Sequence, residues 1–353
     1  MLMNGKRTTV ISRPCPTTFI YYLREPYEYF FQFFRAELRE HIVFQSNVYS
    51  RQKDVASNFH ISEEEILVFH GLIVYMGLVP IPSLVNFWAV KTRIPQVADF
   101  ISSNYFKSML SSLHFNDNDQ AAVSQVRFFK VRVPFTMVTK EFWKVSETPI
   151  HSMDEGMVAN KGKKAGNLRR YVAKKPDKWD YKFFCRSSVD GFVHDTLMYQ
   201  GETAFMSHHT LLSVEQKAMS VTSKFAFTLV KTIKHPSHLA VYADNYFASI
   251  GLAGYLRSQY GCWYIGTALK SVKVMNKKST PRSTLDYVYS HGILVAKWKN
   301  KSIVTILSTD VGIELMDTVE RALKKVPIPC TSDTQMYKNR MGGIDKSDML
   351  THL

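Results

Sequence analysis

Cysteine is scarce in this chain: four in 353 residues, at Cys15, Cys185, Cys262 and Cys330. No two form a CxxC pair, so neither a thiolate zinc site nor a disulfide framework is expected, and the four read as reduced thiols of an intracellular protein. The start of the chain has no apolar stretch behind a basic segment, so no secretory signal is expected. Long hydrophobic runs are missing as well. The longest, residues 66–79, is broken by His70 and closed by Pro80 and Pro82. That is too short to span a bilayer and suits a buried helix, so no membrane partner is expected. His208-His209 has no partner at metal-ligand spacing and reads as a surface loop. Acidic residues are the last shortage, 30 against 45 Lys and Arg, which leaves a net charge of +15.

What is present is a folded chain. A 45% hydrophobic and 13% aromatic composition excludes general disorder, and the length is enough for two domains. The charge is uneven: residues 1–150 hold 16 basic and 13 acidic side chains, and residues 151–353 hold 29 and 17. The second part therefore carries +12 of the +15. A basic surface around a few carboxylates fits a polyanionic substrate.

Along the chain, residues 1–18 read as a flexible tail. A helical, aromatic-rich domain is expected over 19–146. In it Tyr27, Tyr29, Phe30, Phe31, Phe33 and Phe34 crowd two turns and read as core or interface packing. Ser62-Glu63-Glu64-Glu65 has the form of a capping box. A further helix is expected over 104–113, and Asn116-Asp117-Asn118-Asp119-Gln120 reads as a loop. After Pro149 the period changes to that of strands. Residues 181–188 and 192–200 are joined through Asp190-Gly191, a hairpin signal. Residues 239–243 form a short apolar strand leading into Asp244, and a helix follows over 248–260. A second hairpin is expected around Asn300-Lys301. The polar, basic stretch 270–282 reads as a linker into an insertion at about 270–335.

Three acidic positions stand at the ends of predicted elements. They are Asp154 in Met153-Asp154-Glu155, Asp244 in Ala243-Asp244-Asn245, and Asp345 in Gly342-Gly343-Ile344-Asp345, separated by 90 and 101 residues. Carboxylates at strand ends and a helix start can converge despite such distances. Their hard oxygens favour Mg2+ or Mn2+, and two such ions suit in-line displacement at phosphorus. Asp348 lies three residues beyond Asp345, so on a helix the two share a face. Ligand, cap and exposed side chain are all open readings for Asp348. Between residues 161 and 178 stand Lys161, Lys163, Lys164, Arg169, Arg170, Lys174, Lys175 and Lys178 with one acid, Asp177. Tyr171 lies within the run and Trp179 closes it. Two readings are open here too: a clamp for DNA phosphates, or a solvated charged loop.

Taken in order, these blocks resemble the piggyBac-type transposases and the transposable element-derived proteins related to them. The resemblance runs from about Pro26 to Leu353. It rests on Pro26-Tyr27-Glu28-Tyr29-Phe30-Phe31, Leu113-His114-Phe115-Asn116-Asp117-Asn118, Met153-Asp154-Glu155, Lys174-Lys175-Pro176-Asp177-Lys178-Trp179, Asp244-Asn245-Tyr246-Phe247-Ala248-Ser249, Gly266-Thr267 and Met341-Gly342-Gly343-Ile344-Asp345. It implies an α/β fold: an RNase H-like DDD core over 147–353 with an inserted β-rich subdomain, preceded by the all-α domain. The implied catalytic and metal-binding triad is Asp154, Asp244 and Asp345, working with two Mg2+ or Mn2+ ions. The implied activity is cut-and-paste transposition at TTAA targets in the nucleus. Double-stranded DNA is the implied partner, with a homodimer formed through the N-terminal domain. Two departures stand out. Eight residues follow Asp345 and no Cys/His array is present, so the core is expected to be truncated. Gly156 places flexibility just after the first aspartate, where the family more often has a bulkier residue. Two outcomes follow, an active metal-dependent enzyme or a domesticated, non-catalytic DNA-binding protein.

Overall fold

The computed structural model describes residues 25–121, 128–159, 169–171, 179–200, 212–267, 281, 284–299, 302–310, 316–320 and 327–351. The expected tail over 1–18, His208-His209, the Asn300-Lys301 turn and, apart from Pro281, the linker at 270–282 lie outside the described residues. The chain divides into two compact units, Tyr22–Phe142 and Trp143–His352.

The first unit holds α1 (Pro26–Phe33), α2 (Ala36–Lys53), α3 (Glu63–Leu78), α4 (Pro95–Ala98), α5 (Ser103–Ser112), α6 (Asn118–Ala121) and α7 (Phe129–Phe142). The capping box starts α3. The Ser62 hydroxyl accepts from the Glu65 amide at 3.2 Å, and the Ser62 amide donates to the Glu65 carboxylate at 2.8 Å. Three glutamates in its first turn complement the positive end of the helix dipole, and Pro80 lies just past its end. Ile66, Phe69 and Leu72 of α3 pack with Phe34, Leu38, Ile42, Phe106 and Met109 as the core of this unit.

The structure narrows one expectation, corrects a second and adds a helix that no local signal announced. Of the aromatic cluster only Phe34 is buried; Phe33 packs on Phe142, while Tyr27, Tyr29, Phe30 and Phe31 are exposed. The polar stretch at 116–120 is not all loop, because its end starts α6, with Gln52 donating to Asp117 and Asp119. Helix α7 escapes sequence reading because Pro134 interrupts its pattern, yet the helix continues through it.

The second unit is mixed α/β. In order it holds β1 (Ile150–Ala159), β2 (Arg169–Tyr171), β3 (Trp179–Ser188), β4 (Val193–Met198), α8 (Val214–Ala218), α9 (Val221–Lys231), β5 (Ala240–Ala243), α10 (Ile250–Tyr260) and β6 (Trp263–Thr267). Then come β7 (Leu285–Ser290), β8 (Ile293–Lys299), β9 (Ile303–Ser308), β10 (Met316–Glu320), β11 (Pro327–Thr331), α11 (Ser332–Arg340) and α12 (Gly343–Thr351). Among the described residues nine strands form one sheet, ordered β2-β3-β1-β5-β6-β9-β8-β7 with β4 also on β3. Strands β1, β5 and β6 run parallel to one another, and β3 is antiparallel to β1, β2 and β4. The expected insertion at about 270–335 contributes β7, β8 and β9 to this same sheet, with β10 and β11 as a separate pair.

Parallel neighbours need a crossover, and α10 supplies it between β5 and β6. Ser249 caps its start, and Gly261 ends it in the left-handed region at φ 64°. The hairpin between β3 and β4 turns at Gly191, φ 99°, where the Asp190 carboxylate accepts from the Phe192 amide.

Alternation along each strand divides the core. Val241 and Ala243 of β5 face a large cluster with Phe225, Phe227 and Leu229 of α9 and Leu252 and Leu256 of α10. Tyr242, between them, faces the other way, with Ile265 and Ile306 against Met336, Tyr337 and Met341. The second face carries α11 and α12, and it is where the carboxylates meet.

Candidate active site

Strand register brings the first two carboxylates together. Met153 of β1 pairs with Ala243 of β5, and Ala243 pairs with Gly266 of β6. One residue further along these parallel strands stand Asp154, Asp244 and Thr267. Since side chains alternate with period two, all three fall on the face opposite Met153 and Ala243, in one row across three neighbouring strands. The Thr267 hydroxyl donates to Asp244 Oδ1 at 3.4 Å.

The third carboxylate arrives on α12. Gly343, its first residue, is buried against β1 and β3. A Cβ there would lie 2.4 Å from Ser187 Oγ and from the Ser188 carbonyl oxygen, and 2.7 Å from Ser152 Oγ. Only glycine permits this approach, and it seats the helix two residues from Asp154 along β1. Asp345 follows in the first turn of the helix, where a carboxylate is favoured by the helix dipole.

The Asp154 carboxyl registers all of this. Burial pushes its pKa up to about 6, the adjacent Glu155 amide (2.7 Å) draws it back, and the charges of Asp244, Asp345 and Glu155 raise it further. The structure thus places Asp244 and Asp345 within electrostatic reach of Asp154. The charge of Asp348 is felt at Cys185, the β3 partner of Asp154. As they stand, the described His, Cys, Asp and Glu side chains form no closed set of three around an ion. The donor chemistry nevertheless fits a hard divalent cation, since the carboxylate charges of Asp244 and Asp345 that bear on Asp154 are what such an ion would neutralise.

Of the basic run, Lys161, Lys163, Lys164, Lys174, Lys175 and Lys178 lie outside the described residues. Arg169 and Arg170 form strand β2, pairing with Tyr181 and Asp180 at one end of β3.

Several residues around the site escaped sequence reading. Tyr337 of α11 packs with Tyr242, Ile265 and Ile306; burial, with the charges of Asp244 and Asp154, pushes its pKa up to about 12. Arg340, on the same helix, donates to the Tyr242 hydroxyl at 2.8 Å. Lys182 pairs with Glu155, and its ammonium sits 4.1 Å from the Tyr246 ring centroid and 4.9 Å from that of Phe184. Gly156 is not a flexible point: it sits mid-strand opposite Phe183, and a Cβ there would come within 3.0 Å of Cys185 Sγ. The opposite face buries Arg186 completely. Its guanidinium donates to Glu147 (3.2 Å), His151 Nδ1 (2.7 Å) and Thr232 (3.2 Å), and Thr232 donates to Asp195 at 2.6 Å. Burial, then the Arg186 charge, holds His151 well below the usual histidine range and His194 down to about 4. The available signal was an arginine and two histidines inside strand patterns that should alternate apolar with polar.

A family model described as "Transposase IS4" matches residues 25–352. The chain belongs to the piggyBac-type transposase family. Human PiggyBac transposable element-derived protein 3 is 28% identical over 94% of this chain and 57% of its own length. Human PiggyBac transposable element-derived protein 2 is 26% identical over 87% of the chain and 52% of its own length. The chain therefore spans just over half the length of these relatives. The piggyBac transposase solved by cryo-EM in a synaptic complex with hairpin DNA has the same fold, with a TM-score of 0.77. That match covers 93% of this chain and 68% of the other at 18% identity. Among the described residues, no helix is long and apolar enough to cross a membrane.

Proposed function

We propose that this chain is a DDD transposase by descent, with Asp154, Asp244 and Asp345 as the ligands of a two-ion magnesium or manganese site acting on double-stranded DNA. The observation that carries the reading is the row of Asp154 and Asp244 on adjacent parallel strands, with Asp345 brought against it by the glycine seat of α12. An RNase H-like core is supported by the sheet, in which β1 sits between an antiparallel set, β3 and β4, and a parallel pair, β5 and β6. The helical first unit is read as the domain for dimerisation and DNA binding. TTAA targeting and nuclear location are read from membership of the family. The solved relative is a complex with hairpin DNA, which supports DNA as the partner.

In this reading each residue has a defined task. Asp154 and Asp244 hold their carboxylates on a rigid sheet face. Asp345 closes the set from the helix, and Asp348 backs it one turn on. Ions bound there would supply the Lewis acid that polarises a phosphodiester and its attacking oxygen. The basic run from Lys161 to Lys178, including Arg169 and Arg170, holds the DNA phosphates.

The test is strand cleavage of duplex and hairpin-ended DNA, with and without Mn2+ or Mg2+, by the unmodified chain and by Asp244→Asn. Cleavage that needs both the ion and Asp244 is the expected result. Salt-sensitive DNA binding with no such cleavage would overturn the catalytic reading. It would favour the second one, a domesticated DNA-binding protein, to which the "transposable element-derived" relatives point. Neutralising Lys174, Lys175 and Lys178 should flatten the slope of log K against log salt by roughly 1 per lost contact.

A further inference from the structure

The ladder that aligns the first two carboxylates stops just short of them. Strands β1 and β5 pair from Ile150–Ala240 to Met153–Ala243, and the β5–β6 ladder ends at Ala243–Gly266. Asp154 and Asp244 stand one step further on. There the chain enters a turn, in which the Phe247 amide donates to the Asp244 carbonyl at 3.1 Å and the Ala248 amide to the Asn245 carbonyl at 3.3 Å. The spacing of the two carboxylates therefore depends on what holds that turn. One side chain reaches both strands from behind, on the sheet face opposite the carboxylates. Lys182 of β3 is the partner of Met157, two residues from the Glu155–Phe184 pair, so Lys182, Phe184 and Glu155 share that face. The Lys182 ammonium forms an ion pair with Glu155, the residue after Asp154. It also lies 4.1 Å from the ring centroid of Tyr246, two residues after Asp244. The Tyr246 ring stacks on Phe184 at 5.5 Å, and Phe247 meets Phe184 edge-on at 5.5 Å. With its side chain 14% exposed, Lys182 has its charge engaged inside the protein, not held out for a DNA phosphate.

We infer that Lys182 is a positioning residue: its ammonium clamps the chain just after Asp154 to the turn just after Asp244, and so sets the separation of the two carboxylates for ion binding. This rests on the proposed metal-binding role of the aspartates and goes beyond it by assigning a residue that acts through Glu155 and Tyr246. An ammonium suits the task. It gives hydrogen bonds and charge to a carboxylate and is drawn to the face of an aromatic ring, so one group holds two dissimilar partners. Glu155 neutralises it, so a cation placed near a cation site carries little repulsion. Outer groups that hold ligands in place typically change metal affinity by about 10–100-fold.

Two measurements on the full chain test the clamp, neither of them cleavage. Amide hydrogen exchange in the metal-free protein, resolved at Phe247 and Ala248, reads the turn; Mn2+ titration followed by electron paramagnetic resonance reads the site. Lys182→Met keeps an apolar stem and removes the ammonium, Tyr246→Leu removes the ring face, and Lys182→Arg keeps a cation that can pair with a carboxylate and lie on a ring. In Lys182→Met, exchange at Phe247 and Ala248 is expected to quicken by roughly tenfold while amides inside β5 keep their protection, and Mn2+ binding to weaken by roughly tenfold. The sign is decisive. Loss of a positive charge beside a cation site would by itself strengthen Mn2+ binding, so weakening identifies lost positioning. Tyr246→Leu should behave alike, and the two changes together should lose little more than either alone. Lys182→Arg should bind Mn2+ within about threefold of the unmodified chain. If Lys182→Met does not fold, the same readings on Tyr246→Leu decide. Quickening spread evenly over all amides, or Mn2+ binding at least as tight as in the unmodified chain, would overturn the clamp. If the unmodified chain shows no Mn2+ binding that Asp244→Asn abolishes, the metal reading falls and takes the positioning role with it; failure of the clamp alone shows only in the Lys182 and Tyr246 variants.

Discussion

Replacing Gly343 with alanine tests how the third carboxylate is held. The added Cβ would stand 2.4 Å from Ser187 Oγ and from the Ser188 carbonyl oxygen, and 2.7 Å from Ser152 Oγ, where ordinary contact begins at 3.4 Å. The serine hydroxyls bond each other at 3.0 Å and could rotate at the loss of that bond, but the Ser188 carbonyl belongs to the backbone of β3 and cannot. The start of α12 must therefore lift by about 1 Å. Overpacking of this kind costs about 1–3 kcal/mol, offset by up to about 1 kcal/mol of better helix propensity in alanine, so a net loss of about 1–2 kcal/mol is expected. Asp345, two residues on, moves with the helix, and a displacement near 1 Å at a reacting centre can lower turnover by about a hundredfold. Urea denaturation of Gly343→Ala measures the first effect, and Mn2+ titration with strand cleavage measures the second. Gly342→Ala is the control, since a Cβ there meets nothing within 4 Å. If Gly343→Ala behaved like Gly342→Ala, within about 0.5 kcal/mol and with unchanged Mn2+ affinity, the seat would not be what places Asp345.

Two further outcomes follow from the electrostatics. Asp154, at about 6, binds its proton more tightly in the folded chain than in the unfolded one, so the stability it lends is present below about pH 4 and is lost as pH rises through 6. In metal-free protein Asp154→Asn should therefore stabilise by up to about 3 kcal/mol at pH 7.5 and by much less at pH 4.5; equal effects at both pH values, read by thermal unfolding, would contradict it. On the opposite face, Arg186→Met leaves Glu147 and the Thr232–Asp195 pair without their buried cation and should destabilise by about 3–5 kcal/mol, while His151, already neutral, contributes little charge to the loss; a denaturation midpoint unchanged by Arg186→Met would show the network to be idle.

Much of this was legible where local chemistry decides structure. Ser62 and Glu65 announced a helix start, Asp190-Gly191 a hairpin, and the apolar residues before Asp244 a strand that delivers it to a sheet end. Family blocks then picked Asp154, Asp244 and Asp345 out of 30 acidic residues, which spacing alone could not do. Facts that depend on tertiary neighbours were not legible. Tyr337 and Thr267 are ordinary residues until β5, β6 and α11 meet. Arg186 looks like a surface charge in sequence and is buried because Glu147, His151 and Thr232 converge on it. Gly156 looked like a point of freedom because a lone glycine carries no record of the Cys185 sulfur beside it. The aromatic residues at 27–34 read as core or interface packing, but none of those within α1 is buried, and only Phe34, which caps its end, reaches the core.

The wide spacing of the three aspartates has a consequence for the life of the chain. With 90 residues between the first and second and 101 between the second and third, no contiguous fragment of fewer than 192 residues contains all three. A polypeptide still emerging from the ribosome, or one whose last helix has peeled away, holds at most two of the carboxylates in register. Any chemistry that needs the full set is thereby withheld until α12 has been made and has docked on the sheet. The dependence runs the other way as well. An ion gripping β1, β5 and α12 at once ties together the parts of the unit that are furthest apart along the chain, so its binding free energy would be felt as resistance to unfolding of the whole unit.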